Sequence, residues 1–289
     1  MKDSPFSHAD RYVCDYGRLA EALGFSGTVP APGESKFLQM VTEPGRFNFG
    51  MLAVPDVLFA AAVTSILRPE FALEIGTASG SSAAVIAKMI ALREAQIGCS
   101  RSGPLVHTID KKAEYVFDKT KPVGFGIDFI APELRDRIAI HPLRDSSHCR
   151  EIVEGGELRL GFIDGNHQHP WPLVDLLHVA QVMKGGWILL HDIDLPAVIE
   201  RAVAAGQQVD DAHGSGAKYV FDCWPDQKIA AGNIGAIRVS PNRDSLGRFL
   251  ARLRELPSEV SPGSWSKRWR AIDALIKPPP ARRWLAGFA

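Results

Sequence analysis

The sequence predicts an α/β protein built on a mostly parallel sheet of seven strands, with helices on both faces. Three observations predict it. Short apolar runs alternate with helix-period segments from residue 55 to residue 240, the pattern of consecutive βα units. Three of those runs end in an aspartate, at Asp110, Asp164 and Asp192; ligands of such sheets bind beyond the carboxyl ends of the strands. A turn with two glycines, "LEIGTASGSS" (73–82), joins the first strand to the helix after it.

Taken in order, residues 1–50 read as an irregular N-terminal cap with scattered Pro and Gly and one short helix at 18–23. "PDVLFAAAVTSIL" (55–67) has Pro at a helix start and is apolar on most sides, so it predicts a buried helix. "EFALEIG" (70–76) is a strand, and 79–95 is a helix capped by serines, with Val85, Met89 and Leu92 on its apolar face. Strands follow at 105–110, 137–142 and 158–164. A helix over 171–186 carries Leu173, Leu176, Leu177 and Ala180 on one face and stops at Gly185-Gly186. The strand 187–192 and the helix 196–206 come next, and 217–224 with 233–240 predict a final strand pair. The main domain thus spans 51–240. Beyond it, 241–289 is a basic tail of net charge +6, ten Lys/Arg against four Asp/Glu, with two amphipathic segments around Leu246–Leu253 and Trp265–Ile276. That spacing predicts helices packed back on the core.

Composition excludes several classes. The chain is 46% hydrophobic and 23% charged, ordinary for a globular protein, and 33 Lys/Arg balance 33 Asp/Glu. No global charge favours nucleic acid or an anionic membrane. Four widely spaced cysteines, at 14, 99, 149 and 223, make no C-x-x-C pair, which predicts reduced thiols and a cytoplasmic location. The N-terminal stretch lacks the apolar core of a signal peptide, and the greasiest segment, 47–67, is broken by Pro55 and Asp56, so no membrane span is expected. The terminal segments are where a second copy could associate.

The loop at 73–82 lacks both the G-x-G-x-x-G pattern and the lysine of a P-loop. Glu74 beside it would repel a pyrophosphate and suit a positively charged ligand. Asp110, ending the next strand, can accept hydrogen bonds from two ribose hydroxyls. These features fit S-adenosylmethionine, held by Glu74, Gly76, Thr77, Gly80, Ser81 and Asp110, with Asp164 at the next strand end.

On "LEIGTASG" and on "FIDGNH…DLLHVAQVMKGGWILLHD", residues 47–239 resemble the class I S-adenosylmethionine-dependent methyltransferases, in particular the metal-dependent O-methyltransferases of catechol and antibiotic-sugar type. The resemblance implies a Rossmann-like sheet whose last strand runs antiparallel. It implies Asp145 and Ser146, in "HPLRDSS", near the adenine ring, and Asp164 and Asp192 as ligands of a divalent metal, Mg²⁺ by the hardness of two carboxylates. The third ligand departs from the family. Ile193 stands where the catechol type has Asn, and His191 where the antibiotic-sugar type has Glu. An imidazole ligand at His191 would favour Mn²⁺, Fe²⁺ or Zn²⁺. His167 matches the histidine proposed as general base in the antibiotic-sugar enzymes, His169 is the weaker candidate, and His178 reads as a surface or packing residue. The expected activity is methyl transfer to a hydroxyl of a small molecule, a sugar or other natural-product scaffold. Two alternatives stay open: a cephalosporin hydroxylase-like metal enzyme on the same fold, and a non-catalytic binder of S-adenosylmethionine. No base-flipping motif is present, which sets nucleic acid aside as acceptor.

Overall fold

The computed structural model describes residues 8–47, 52–153, 156–168, 171–206, 216–241, 244 and 246–249. In chain order the elements are α1 (His8–Leu23), α2 (Glu34–Val41), α3 (Val54–Leu67), β1 (Ala72–Ile75), α4 (Ser81–Gln96), β2 (Val106–Asp110), a small hairpin of β3 (Glu114–Tyr115) and β4 (Asp118–Pro122), and α5 (Ile127–Ile130). Then come β5 (Ile138–Pro142), α6 (Cys149–Ile152), β6 (Leu158–Ile163), α7 (Trp171–Val182), β7 (Met183–His191), α8 (Leu195–Ala204), α9 (Gly216–Cys223), β8 (Lys228–Ala231) and β9 (Ile234–Val239). The main sheet has seven strands in the order β5-β2-β1-β6-β7-β9-β8. β5, β2, β1, β6 and β7 pair in parallel, and β9 runs antiparallel to both β7 and β8. The α/β architecture expected from the sequence, with its antiparallel last strand, is the one observed.

Strand alternation sorts the core into two layers. Leu160, Phe162, Trp187 and Leu189 face α3 and α4, in a cluster that also takes in Tyr16, Leu38, Val63 and Ile86. Ile163, Ile188 and Leu190 face α7 and α9, with Leu173, Leu177 and Trp224. α3 is apolar nearly all round because both its sides are covered, by the sheet and by α1 with α2. Leu246 and Phe249, at the start of the basic tail, are buried in the second layer, with the Phe249 ring 5.2 Å from Trp224. The rest of the predicted tail lies outside the described residues.

Four local expectations are corrected. The N-terminal cap is not irregular: α1 and α2 are regular helices. They are held by a buried network around Arg93 of α4. Its guanidinium donates to Ser65 Oγ (2.9 Å), Tyr16 Oη (2.6 Å) and the Val29 carbonyl (2.5 Å), and lies 3.4 Å from the fully buried Glu34 carboxylate. α4 has no serine cap; Gly80, in the left-handed conformation, precedes it without a side-chain cap hydrogen bond. α7 ends at Val182, and the two glycines meant to stop it lie inside β7. There Gly186 has φ 137°, and a Cβ would fall 2.2 Å from the Arg159 carbonyl oxygen, so strand β6 comes too close for any side chain. Finally, 217–224 is helix α9, and the partner of β9 is β8. "AKYVFDCW" contains both periods; what decides is that Ala217 and Val220 lie three apart and both bury against α7.

Among the described residues no helix is long and apolar enough to cross a membrane, and Cys99, Cys149 and Cys223 are free thiols.

Candidate functional site

A cavity of about 500 Å³ opens over the carboxyl ends of β2, β1 and β6. Its floor is Ile75, Gly76 and Ile109; its walls include Asp110, Lys111, Asp145, Ser146, Asp164, His167, Trp171 and Asp175, and Val116 and Phe117 of the β3–β4 hairpin stand at its rim.

The glycine loop makes this space. Gly76 has φ 102°, and a Cβ there would sit 2.1 Å from the Asp164 carbonyl oxygen, so only glycine lets the loop pass the tip of β6. Asp110 fastens the same loop. Its Oδ2 accepts from the Ala78 N–H at 3.0 Å and its Oδ1 from the Lys112 N–H at 2.9 Å. Asp110 therefore both lines the cavity and holds the loop that closes it.

Of the residues predicted to bind the cofactor, Gly76, Asp110, Asp145, Ser146 and Asp164 line the cavity. Glu74, Thr77, Gly80 and Ser81 do not, and Glu74 is the instructive case. On β1 it shares a face with Ala72 and points toward α4, while Ile75 points to the cavity side. It is fully buried, and it accepts hydrogen bonds from Ser82 Oγ and from Thr108 Oγ1, the latter at 2.5 Å. Burial pushes its carboxyl up to about 8, against the pull of those two hydroxyls. Glu74 thus does not line the cavity and supports the loop from beneath through Ser82 and Thr108. Thr77 belongs to the same layer, its Oγ1 2.7 Å from that of Thr108. Ser81 bonds Ser79 at 2.7 Å, and Gly80 packs on Gly124 and Ile127.

Because the folded-state value of Glu74 lies above its unfolded one, its contribution to stability is complete below about 4.5 and is lost as pH rises through about 8. Between pH 5 and 7 the slope corresponds to roughly 2–3 kcal/mol. Glu74→Gln, which keeps the shape, should flatten that slope and stabilise the protein above pH 7. Denaturant melts at several pH values measure this; parallel curves for the two proteins would show that Glu74 is ionised where it sits.

At its second end the cavity reaches Asp164 and His167, the outer members of an acid–imidazole cluster. β6 and β7 are parallel neighbours, in register from Leu160↔Trp187 to Ile163↔Leu190, so Asp164 and Asp192 leave the sheet side by side. Donor atoms of Asp164, His167 and Asp192 all lie within 4.8 Å of one another. His167 Nδ1 is 2.8 Å from Asp192 Oδ2. Burial works against a charged His167 ring, but the Asp192 hydrogen bond and charge, aided by Asp164, outweigh it and raise its pKa above the ordinary histidine value. Burial likewise opposes the Asp192 charge, and His167 and His191 overcome it, lowering its pKa. Asp192 adopts φ 60°, a left-handed backbone uncommon outside glycine. It is steadied by Asn233, whose amide donates to Asp192 Oδ1 at 2.5 Å and whose carbonyl oxygen accepts from the Asp194 N–H at 3.0 Å.

His191, expected among the metal ligands, is engaged otherwise. Its Nδ1 is 3.0 Å from Asp164 Oδ1 and its Nε2 is 3.3 Å from Asp56 Oδ2. Both nitrogens face carboxylates, an arrangement that an imidazolium satisfies with two N–H donors. Burial disfavours that charge; Asp164, Asp56 and Asp192 together push the ring up to about 11. The set whose donor atoms lie close enough together to offer a cation a site is Asp164, His167 and Asp192. Two carboxylates and one imidazole this close fit a divalent ion. His169 lies outside the described residues.

Asp56, Asn233, Asp175 and His178 are site residues that the sequence did not single out as such. Asp56 carried one signal, a lone carboxylate in the first turn of an otherwise apolar helix, and it is buried at 2% exposure. His178, read as surface or packing, has its Nδ1 2.9 Å from Ser146 Oγ.

Residues 73–193, the segment that supplies most of this cavity, match the family described as "Methyltransferase domain". No curated protein matches the chain. Among solved structures it is similar to cofactor-bound Rv0187 from MTB (16% identity, 81% of this chain and 97% of that one, TM-score 0.46) and to an O-methyltransferase from Bacillus cereus in complex with SAH (15%, 78% and 98%, 0.44). It is also similar to the O-methyltransferase TomG from Streptomyces achromogenes, in complex with SAM (14%, 80% and 99%, 0.44). These likenesses are distant and assign this chain neither substrate nor metal.

Proposed function

We propose that the chain is an S-adenosylmethionine-dependent O-methyltransferase acting on a hydroxyl of a small molecule, a sugar or other natural-product scaffold. The observation that carries this reading is that one cavity joins the Gly76 loop and Asp110 at one end to Asp164 and His167 at the other, with Asp192 grouped beside those two. The match of residues 73–193 to methyltransferase domains supports it.

The chemistry asks little beyond positioning. When bound, S-adenosylmethionine would supply a methyl group already activated by its sulfonium, passing it to the acceptor oxygen and leaving as the neutral thioether with the electron pair of the broken C–S bond. The hydroxyl proton goes to His167. With Nδ1 bonded to Asp192, the ring's other nitrogen takes the proton, and Asp192 stabilises the imidazolium that results. Asp164 and Asp192 would hold a divalent cation, Mg²⁺ or else Mn²⁺ or Fe²⁺, leaving the His167 ring free to act as the base; an ion bound there would supply a positive charge that lowers the pKa of an acceptor hydroxyl.

Calorimetry with S-adenosylhomocysteine tests the reading. The ligand should bind the wild type and, at a hundred times its Kd, stabilise it by about 2.7 kcal/mol. Asp110→Ala removes both a ribose acceptor and the anchor of Ala78, so binding should fall by at least tenfold. Chelator should depress turnover while leaving this binding in place. Binding of NAD instead, or equal affinity of wild type and variant, would overturn the assignment. Formation of an oxidised acceptor without S-adenosylhomocysteine would favour the hydroxylase-like alternative.

A further inference from the structure

Asp175 is on α7 and has no part in the mechanism above, yet it lines the cavity. Its exposure is 8%. One of its oxygens, Oδ1, accepts from Ser146 Oγ at 2.6 Å, and that hydroxyl in turn lies 2.9 Å from His178 Nδ1. Among the described residues the other oxygen, Oδ2, has no hydrogen-bond partner. That oxygen is open to the cavity, where a ligand's donor can reach it. Asp145, its neighbour on the same wall, is the opposite case. It is half-buried, and it caps its own turn, accepting from the Ser147 N–H at 3.1 Å and from Ser147 Oγ at 2.5 Å, with Lys111 Nζ 4.0 Å from its second oxygen. Asp145 is occupied with shaping the loop; Asp175 is the acceptor left over.

We propose that Asp175, held in place by Ser146 and His178, reads the 6-amino group of the cofactor's adenine, accepting a hydrogen bond from it through Oδ2. This rests on the cofactor assignment above. A single-acceptor carboxylate beside the cavity selects an N–H donor, and the exocyclic amine is the donor that an adenosyl ligand presents at its far end from the sulfonium. Burial pushes the Asp175 carboxyl up to about 6, opposed by the Ser146 hydrogen bond and by Lys111, so it remains an ionised acceptor in mildly alkaline solution.

The test compares two probes by calorimetry at pH 8: S-adenosylhomocysteine and its analogue with hydrogen in place of the 6-amino group. Hydrogen bonds to a charged group change affinity by roughly ten- to a hundredfold. Wild type should prefer the adenosyl ligand by that factor, and Asp175→Leu, similar in volume but without an acceptor, should bind the two almost equally. Asp175→Ser repeats the measurement should the leucine variant fail to fold. Asp145→Asn should keep the wild-type preference even if it weakens both ligands. A wild type that binds both probes equally, or Asp175 variants that keep its preference, overturns the inference while leaving the cofactor assignment standing. A wild type that binds neither probe overturns the cofactor assignment itself, and this inference with it.

Discussion

His167→Ala should lower turnover by about 10²–10⁴, the range for loss of a general base, with S-adenosylhomocysteine affinity nearly unchanged because the adenosine end of the cavity is untouched. The wild-type rate should rise with pH through a value above that of ordinary histidine. A base must be neutral to accept a proton, and Asp192 and Asp164 together hold this ring in its charged form beyond the usual pH, despite its burial. In the variant the residual rate should climb with hydroxide and show no such inflection. Asp192→Asn separates the two roles of the neighbouring carboxylate. It retains a polar group at 2.8 Å from Nδ1 but removes the charge, so the inflection should move toward lower pH. An inflection unmoved by Asp192→Asn, or a His167→Ala enzyme with wild-type turnover, would show that the proton leaves by another route.

Arg93→Ala should be the most destabilising single change outside the site. Breaking a buried ion pair from one side costs about 3–5 kcal/mol, because the partner charge stays behind without compensation. Glu34 is that partner, with no solvent exposure, and Tyr16, Ser65 and the Val29 carbonyl lose a donor as well. At roughly 2–4 °C per kcal/mol for a chain of this size class, the midpoint of thermal unfolding should fall by about 6–20 °C. Arg93→Met combined with Glu34→Gln should recover much of the loss, since the charge is then removed from both sides. Turnover measured well below the melting range should change little in either protein. A single variant that melts with the wild type would mean that α1 and α2 are held by apolar packing alone.

The strands around the site were legible because their signals are local. Apolar runs of strand length, each closed by an acid, placed Asp110, Asp164 and Asp192 at strand ends, and parallel pairing of β6 with β7 brought the last two together. Gly76 was legible for the same reason: a loop that must cross a strand tip has room for glycine alone. Where the sequence misled, the deciding contact came from far along the chain. Glu74 sits next to the loop in sequence, but the two-residue period of β1 turns it toward α4, where burial raises its pKa. His191 has a ligand's place beside Asp192, yet the same period aims it at α3, where Asp56, 135 positions earlier, takes its Nε2. Asn233 reaches Asp192 across 41 positions, and Ser146 meets Asp175 across 29. The sequence by itself determined the order of the five parallel strands, the glycine turn after the first of them and the chemical identity of the strand-end acids, all set by neighbours within a few residues. Only the tertiary structure decided which acids keep their charge and which imidazole faces the cavity. Those properties depend on burial and on partners that the chain brings together only when the sheet is assembled.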